Sequence, residues 1–206
     1  MVKLTKIRFS YRNLSDAKKP ESETVLKDFS MELSKGEAVA VMGESGSGKT
    51  TLVKLLLGLL TPDSGSIEGL DSTRISVVFQ EDRLLPWYSA KENIALVLSG
   101  ADKAEREKKA LELLEAMELS EAADKPIREL SGGMQRRVSI ARALAFGGDM
   151  IIRDEPLKGL DAELKKRIAD RIKAHFDTLL LITHDEDEAK LFGCDRIVWA
   201  REFRAD

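Results

Sequence analysis

Residues 37–51 read EAVAVMGESGSGKTT, a short apolar run that passes directly into a loop of three glycines, a lysine and two threonines. No other stretch limits the possible folds as tightly. In the spacing G-x-x-x-x-G-K-T, Gly43, Gly46 and Gly48 let the backbone take conformations that a Cβ would forbid. Successive N–H groups of Glu44, Ser45, Ser47 and Thr51 can then surround a phosphate. Lys49 reaches the β and γ oxygens of a nucleotide, and the Thr50 hydroxyl can ligate Mg²⁺. The loop needs a strand to deliver it and a helix N-terminus to continue it. Residues 37–42 suit that strand, and the helix is expected from Lys49 to about Leu60, stopped by Pro62 and 64-SGS-66.

The flanking text fits an α/β chain. Alternation over Lys3–Tyr11 and the run 24–33 predict two strands around the polar loop 12–23, and 74-RISVVFQ-80 predicts another. From Ala90 to about Asp124 the pattern is helical, with Leu111, Leu114 and Met117 expected on one apolar face and the charges on a solvated one. A helix starts at Gly132 or Gly133 and carries 134-MQRRVSIARALAF-146, its basic 136-RR-137 expected to face solvent. Strand and helix alternation then resumes. Strands are expected at 149–154, 178–183 and 195–200, a helix at 161–175 with Leu164, Ile168 and Ile172 inward, and a short acidic helix before the last strand. With 206 residues and no long linker, this reads as one domain. Its core spans about 1–88 and 148–206, and a helical subdomain spans about 89–147.

Bulk properties exclude several classes. A net charge of −3 gives no reason to expect nucleic acid as a partner. One cysteine, Cys194, cannot form an internal disulfide, which favours a reducing cytoplasm, and reads as a small core residue. The most apolar run, 52-LVKLLLGLL-60, is short and contains Lys54, so no membrane span is expected, and 1-MVKLTKIRFS-10 has no apolar signal core, so no secretory leader is expected. No regulatory module is expected beyond about residue 200.

Three further stretches carry chemistry. The strand 150-MIIRDEP-156 ends in two acids: Asp154 is placed to hold Mg²⁺, and Glu155 to polarise an attacking water. His184 ends 178-TLLLITH-184, and strand ends of this kind are where open α/β sheets bind ligands; His175 reads as ordinary surface. The stretch 128-RELSGGMQRR-137 is a second glycine-rich helix start, an anion site in a chain that already has one.

The ordered set GESGSGKTT, Gln80, LSGGMQ, IIRDEP, the Asp161 turn and His184 resembles the ATP-binding subunit of ABC transporters over nearly the whole chain. The resemblance implies a P-loop NTPase core with a mostly parallel sheet, an antiparallel β subdomain and an inserted α-helical subdomain. It implies hydrolysis of ATP with Mg²⁺, with Lys49, Glu155, His184 and Gln80 as the catalytic set and Thr50, Asp154 and Gln80 around the metal. It also explains the second glycine loop. Two subunits pair head to tail, in a homodimer, and Ser131, Gly132 and Gly133 of one contact the γ-phosphate held by the other. Tyr11 stacks on the adenine, Gln135 contacts ribose across the interface, and Asp161 lies at the dimer seam. Gln80 senses the partner through a flexible loop after it. Arg153 and 157-LKG-159 depart from the family pattern, and Arg153 places a charge in a buried strand.

The loop 79-FQEDRLLPWYSAKENI-94 puts Leu84, Leu85, Pro86 and Trp87 where exposure is expected, which marks a partner surface unless Trp87 packs on the helical subdomain. FQ-x-x-x-LLPW resembles importers of the nitrate, sulfonate, taurine and thiamine-precursor type. The expected partners are an integral membrane permease docked near Gln80–Trp87 and a separate solute-binding protein, with the chain peripheral on the cytoplasmic face of the membrane. Three alternatives remain open: the ATPase of a lipoprotein-release or export complex, a soluble ABC ATPase acting on ribosomes or DNA, and a scaffold without turnover.

Overall fold

The computed structural model describes residues 1–12, 22–100, 102–154, 157 and 160–204. In chain order the elements are β1 (Val2–Arg12), β2 (Ser22–Leu33), β3 (Ala38–Met42), α1 (Lys49–Leu56), β4 (Ser64–Glu68), β5 (Ile75–Val78) and α2 (Ala90–Ala95). There follow α3 (Lys103–Ala116), α4 (Gly132–Phe146), β6 (Met150–Asp154), α5 (Ala162–His175), β7 (Thr178–Thr183), α6 (Glu186–Leu191) and β8 (Arg196–Trp199), with a closing 3-10 turn, Ala200–Arg204. They form two compact units, Met1–Arg74 with Asp177–Asp206, and Ile75–Phe176.

In the first unit β3 lies between β7 and β8, parallel to both. β3 and β7 are buried along nearly their whole length, as parallel strands with both faces covered are, so AVAVM and TLLLIT are apolar without alternation. The second sheet is antiparallel, in the order β2-β1-β4. Here the inward residues skip phase: Leu4 and Ile7 are both buried although three residues apart. Lys6 between them has φ 48°, Asp28 on the facing strand has φ 51°, and the register shifts there, the mark of a bulge.

Two expectations change. α1 stops at Leu56 rather than near Leu60 because Gly58 turns left-handed at φ 66° and the Leu59 N–H folds back onto the Lys54 carbonyl. The SGS stretch read only as a helix stop opens strand β4, which pairs with β1. Gly65 permits that pairing, since a Cβ there would lie 2.4 Å from the Lys6 carbonyl oxygen. β4 buries no residue, so it carries no hydrophobic signal.

The second unit pairs β5 with β6 in parallel and packs α2, α3 and α4 around Ile94, Leu114, Met117, Val138 and Ile140. Ser76 fastens β5 to α4 by donating to the Ala143 carbonyl at 2.9 Å. The inward face of α3 is Ala110, Leu114 and Met117; Leu111, expected with them, is 43% exposed. The correction follows from helix geometry, as 110, 114 and 117 keep the 4, 3 spacing of one face and 111 lies 100° off it. In α5, Leu164, Ile168 and Ile172 are buried as the spacing predicts.

Candidate nucleotide site

The first unit carries the phosphate loop. Met42 stands opposite Thr183 in register, so Gly43 and His184 leave the same carboxyl edge of two adjacent strands, and His184 is exposed there. The start of α1 has no acid in its first turn and no side-chain cap at Gly48, leaving its amides for an anion. Lys49 is nearly buried and donates to the carbonyls of Gly43 at 2.7 Å and Glu44 at 2.6 Å, so its ammonium braces the loop. Glu44, Ser45, Gly46 and Thr50 are exposed.

Packing explains two of the glycines. A Cβ at Gly43 would stand 2.6 Å from Ala200 Cβ, and one at Gly48, whose φ is 98°, 2.4 Å from Val25 Cγ1. The 3-10 turn Ala200–Arg204 therefore backs the loop, anchored by Phe203 against Phe29 at 4.7 Å. A cavity of about 460 Å³ lies beside residues 43–47, and Arg201 and Arg204 add positive charge to its wall. Sequence reasoning missed this backing, because the turn has no apolar periodicity. Tyr11, near the end of β1, is 42% exposed. Its hydroxyl meets Thr51 Oγ1 at 3.3 Å, leaving the ring at the first turn of α1.

The second unit carries the other motifs. Val78 is paired with Arg153, so Gln80 and Asp154 follow the same end of β5 and β6. Asp154 is buried, Gln80 exposed and Arg153 fully buried within β6. Glu155, Lys158 and Gly159 lie outside the described residues; Leu157 is buried. Asp161 caps α5, its Oδ1 accepting from the Leu164 N–H at 2.9 Å, and that bond holds its carboxyl below the ordinary range.

Ser131 caps α4 by accepting from Met134 N–H at 3.3 Å, and the first turn of α4 contains no acid. Gly132 is exposed, and apart from its chain neighbours and its own helix backbone no atom of the described residues lies within 4 Å of where its Cβ would stand. Gln135 turns its amide onto the carbonyls of Ile127 and Leu130, at 3.1 and 2.9 Å, and so fixes the turn that leads into the signature.

The arginines after the signature are not a solvated face. Arg137 donates to the carbonyls of Met117 at 2.8 Å and Glu118 at 3.2 Å. Arg136 and Arg142 grip the segment 79–83. The loop beyond is held as well. Fully buried Asn93 accepts from Leu85 N–H at 2.8 Å and donates to the carbonyls of Leu85 and Ser89, at 3.1 and 2.9 Å. The loop expected to be flexible is fastened at both ends, while Trp87 on it is 70% exposed and does not pack on the helices. A signal was legible for Asn93, a polar residue one step after the Ser89–Glu92 capping box in a buried helix face.

The family model for the ABC transporter matches residues 26–158. The chain belongs to the ABC transporter family. As an ABC protein it is an ATPase by family. It is 40% identical to the taurine import ATP-binding protein TauB of Pseudomonas aeruginosa over 199 residues, which cover 90% of this chain and 75% of TauB. It is 42% identical to the aliphatic sulfonates import ATP-binding protein SsuB of Granulibacter bethesdensis over 181 residues, covering 86% of this chain and 74% of SsuB. Among solved structures, the dimeric ATP-binding cassette MJ0796 in a post-hydrolysis state with ADP and Pi superposes with a TM-score of 0.85 at 31% identity, covering 97% of this chain and 94% of that one. The resemblance to importers of taurine and sulfonate type and the expected ABC ATPase fold both hold.

Proposed function

We propose that this ABC ATPase drives solute import through a separate membrane permease, by closing head to tail on ATP as a homodimer. The observation that carries the reading is the start of α4. It is an exposed, acid-free helix N-terminus whose Gly132 meets no described atom that would exclude a side chain. Among the described residues nothing calls for glycine there, and a phosphate held by a partner copy fits such an opening.

In this reading residues 1–206 are one nucleotide-binding domain. Gly43–Thr51 hold the phosphates of one ATP, Tyr11 stacks on its adenine, and Ser131, Gly132 and Gly133 of the partner copy close over the γ-phosphate. Gln135 reaches ribose through its carbonyl oxygen, and Asp161 lines the seam. Mg²⁺, when bound, neutralises the phosphate oxygens; Thr50, Asp154 and Gln80 are the oxygen donors suited to it. Among the described residues no three His, Cys, Asp or Glu side chains form a metal cage, which fits an ion that takes most ligands from phosphates and water. Glu155 accepts the proton of the attacking water and His184 contacts the γ-phosphate. Loss of that phosphate removes the bridge between the subunits.

Exposed Trp87, on its fastened loop, supports docking of a permease there. Among the described residues no helix is long and apolar enough to cross a membrane, which fits a peripheral subunit on the cytoplasmic face. A solute-binding protein supplies the substrate, and taurine and other small sulfonates are the first to try. The test is Glu155→Gln with ATP and Mg²⁺ in sizing with light scattering. A dimer is expected with ATP and a monomer without; a monomer at every protein concentration sinks the composite site.

A further inference from the structure

The segment 79–83 is gripped by α4 through an unusual number of bonds. Arg136 donates from Nη1 to the Phe79 carbonyl at 2.9 Å and from Nη2 to the Gln80 carbonyl at 2.6 Å. Its Nε lies 3.2 Å from Asp82 Oδ1, which also accepts from Ser139 Oγ at 3.1 Å. Arg142 donates to the Asp82 and Arg83 carbonyls, both at 2.9 Å. Two guanidinium groups of one helix thus hold four of five successive carbonyls. Both side chains of the Arg136–Asp82 pair are largely withdrawn from solvent, where charge-assisted bonds are strong. Arg83 completes the strap in the left-handed region at φ 46°, its guanidinium 4.0 Å over the Phe79 ring.

α4 begins at Gly132, four residues before Arg136, so the helix that holds the Gln80 segment is the one that presents the signature glycines. We infer that Arg136 is a positioning residue: it locks the Gln80 segment to α4, so that the loop bearing Trp87 and the signature start move as one rigid piece. The inference rests on the ATPase reading for its consequence in turnover and not for the tether itself. A load placed on the loop at Trp87 is transmitted to Ser131–Gly133 through Arg136, and the Gln80 backbone takes its place from α4.

Three variants separate this from simple packing. Arg136→Met keeps the length and removes every bond, Arg136→Lys keeps the charge but cannot span two carbonyls, and Asp82→Asn breaks the ion pair while leaving both carbonyl bonds. Mobility is read as the fluorescence anisotropy of Trp87 with Trp199→Phe as background in every protein. Turnover is read as ATP hydrolysis with Mg²⁺, and binding with a fluorescent ATP analogue without Mg²⁺. For Arg136→Met, lower anisotropy and about a tenfold fall in kcat are expected, with the analogue Kd within about twofold. Arg136→Lys should fall between, and Asp82→Asn should lose less than Arg136→Met.

Unchanged anisotropy and kcat in Arg136→Met overturn the proposal, as does an equal loss in Asp82→Asn that tracks melting temperature. If Arg136→Met does not fold, Arg136→Lys must show the partial fall, and wild-type values there overturn it. A wild-type chain that binds no ATP sinks the functional reading alone, because Trp87 anisotropy still decides the tether.

Discussion

Gly48 and Gly132 both open helices at glycine-rich loops, yet their surroundings give them opposite roles. Gly48 has φ 98° and would drive a Cβ to 2.4 Å from Val25, so it is required by its own chain. Gly132 meets no side chain or loop atom of the described residues. Gly132→Ala is therefore expected to melt at or above the wild-type temperature, with a gain of up to about 1 kcal/mol from helix propensity. Its ATP hydrolysis should still fall about a hundredfold as a Cβ crowds the incoming phosphate. Thermal denaturation and phosphate release decide it, and unchanged turnover removes the close approach. Cys194, read from the sequence as a small core residue, is half-buried in the fold. Burial, with Asp195 and Glu188 adding to it, pushes its thiol up to about 12, so it stays protonated at neutral pH. A thiol reagent should label the folded chain far more slowly than the urea-unfolded one; equal rates contradict the burial. Lone residues such as these are readable when one environment dominates. The grip of Arg136 and Arg142 was not, because carbonyl acceptors leave no mark in a sequence.

At the scale of elements, β8 is tied to the start of β3 by Arg196, which donates to Glu37 Oε1 at 2.6 Å and to the Glu32 carbonyl. The Arg196 bond holds the Glu37 carboxyl below its ordinary value. With the folded pKa below the unfolded one, this stabilisation is present above the unfolded value near ~4.3 and is lost as pH falls through the folded one. From about pH 6 to about pH 3, denaturant titrations should show a steeper loss of stability for wild type than for Glu37→Gln. Parallel curves would remove the tie. In α3 the prediction turns on burial. Leu114→Ala should cost about 2–5 kcal/mol, and Leu111→Ala less than about 0.5 kcal/mol. Equal losses in chemical denaturation would mean that the face is wrongly assigned. The spacing of 111, 114 and 117 located α3 but placed Leu111 inward with Leu114, since only the partners α2 and α4 choose between adjacent columns of one helix. β4 was illegible for a related reason: its place depends on a glycine meeting a bulge in β1.

For the molecule as a whole, ATP at about one hundred times its Kd should raise stability by about 2.7 kcal/mol, because the ligand binds only the folded chain. Lys49→Ala should show no such rise in a thermal-shift titration, since it loses both the phosphate contact and the brace on Gly43 and Glu44. A full shift in that variant would place the nucleotide elsewhere. The sequence by itself determined the nucleotide chemistry and the class of the fold. Phosphate binding demands glycines, a lysine and a helix start in contiguous order, and such local grammar survives translation into letters. It also showed a second glycine-rich helix start, at 131–133, in a chain that already has a phosphate loop. Only the tertiary structure decided what holds those motifs in place: Ala200–Arg204 behind the phosphate loop, Asn93 under the Trp87 loop, and α4 clamped to residues 79–83. These contacts join residues far apart in the chain through backbone carbonyls and packed surfaces, which have no fixed spacing for a sequence to display.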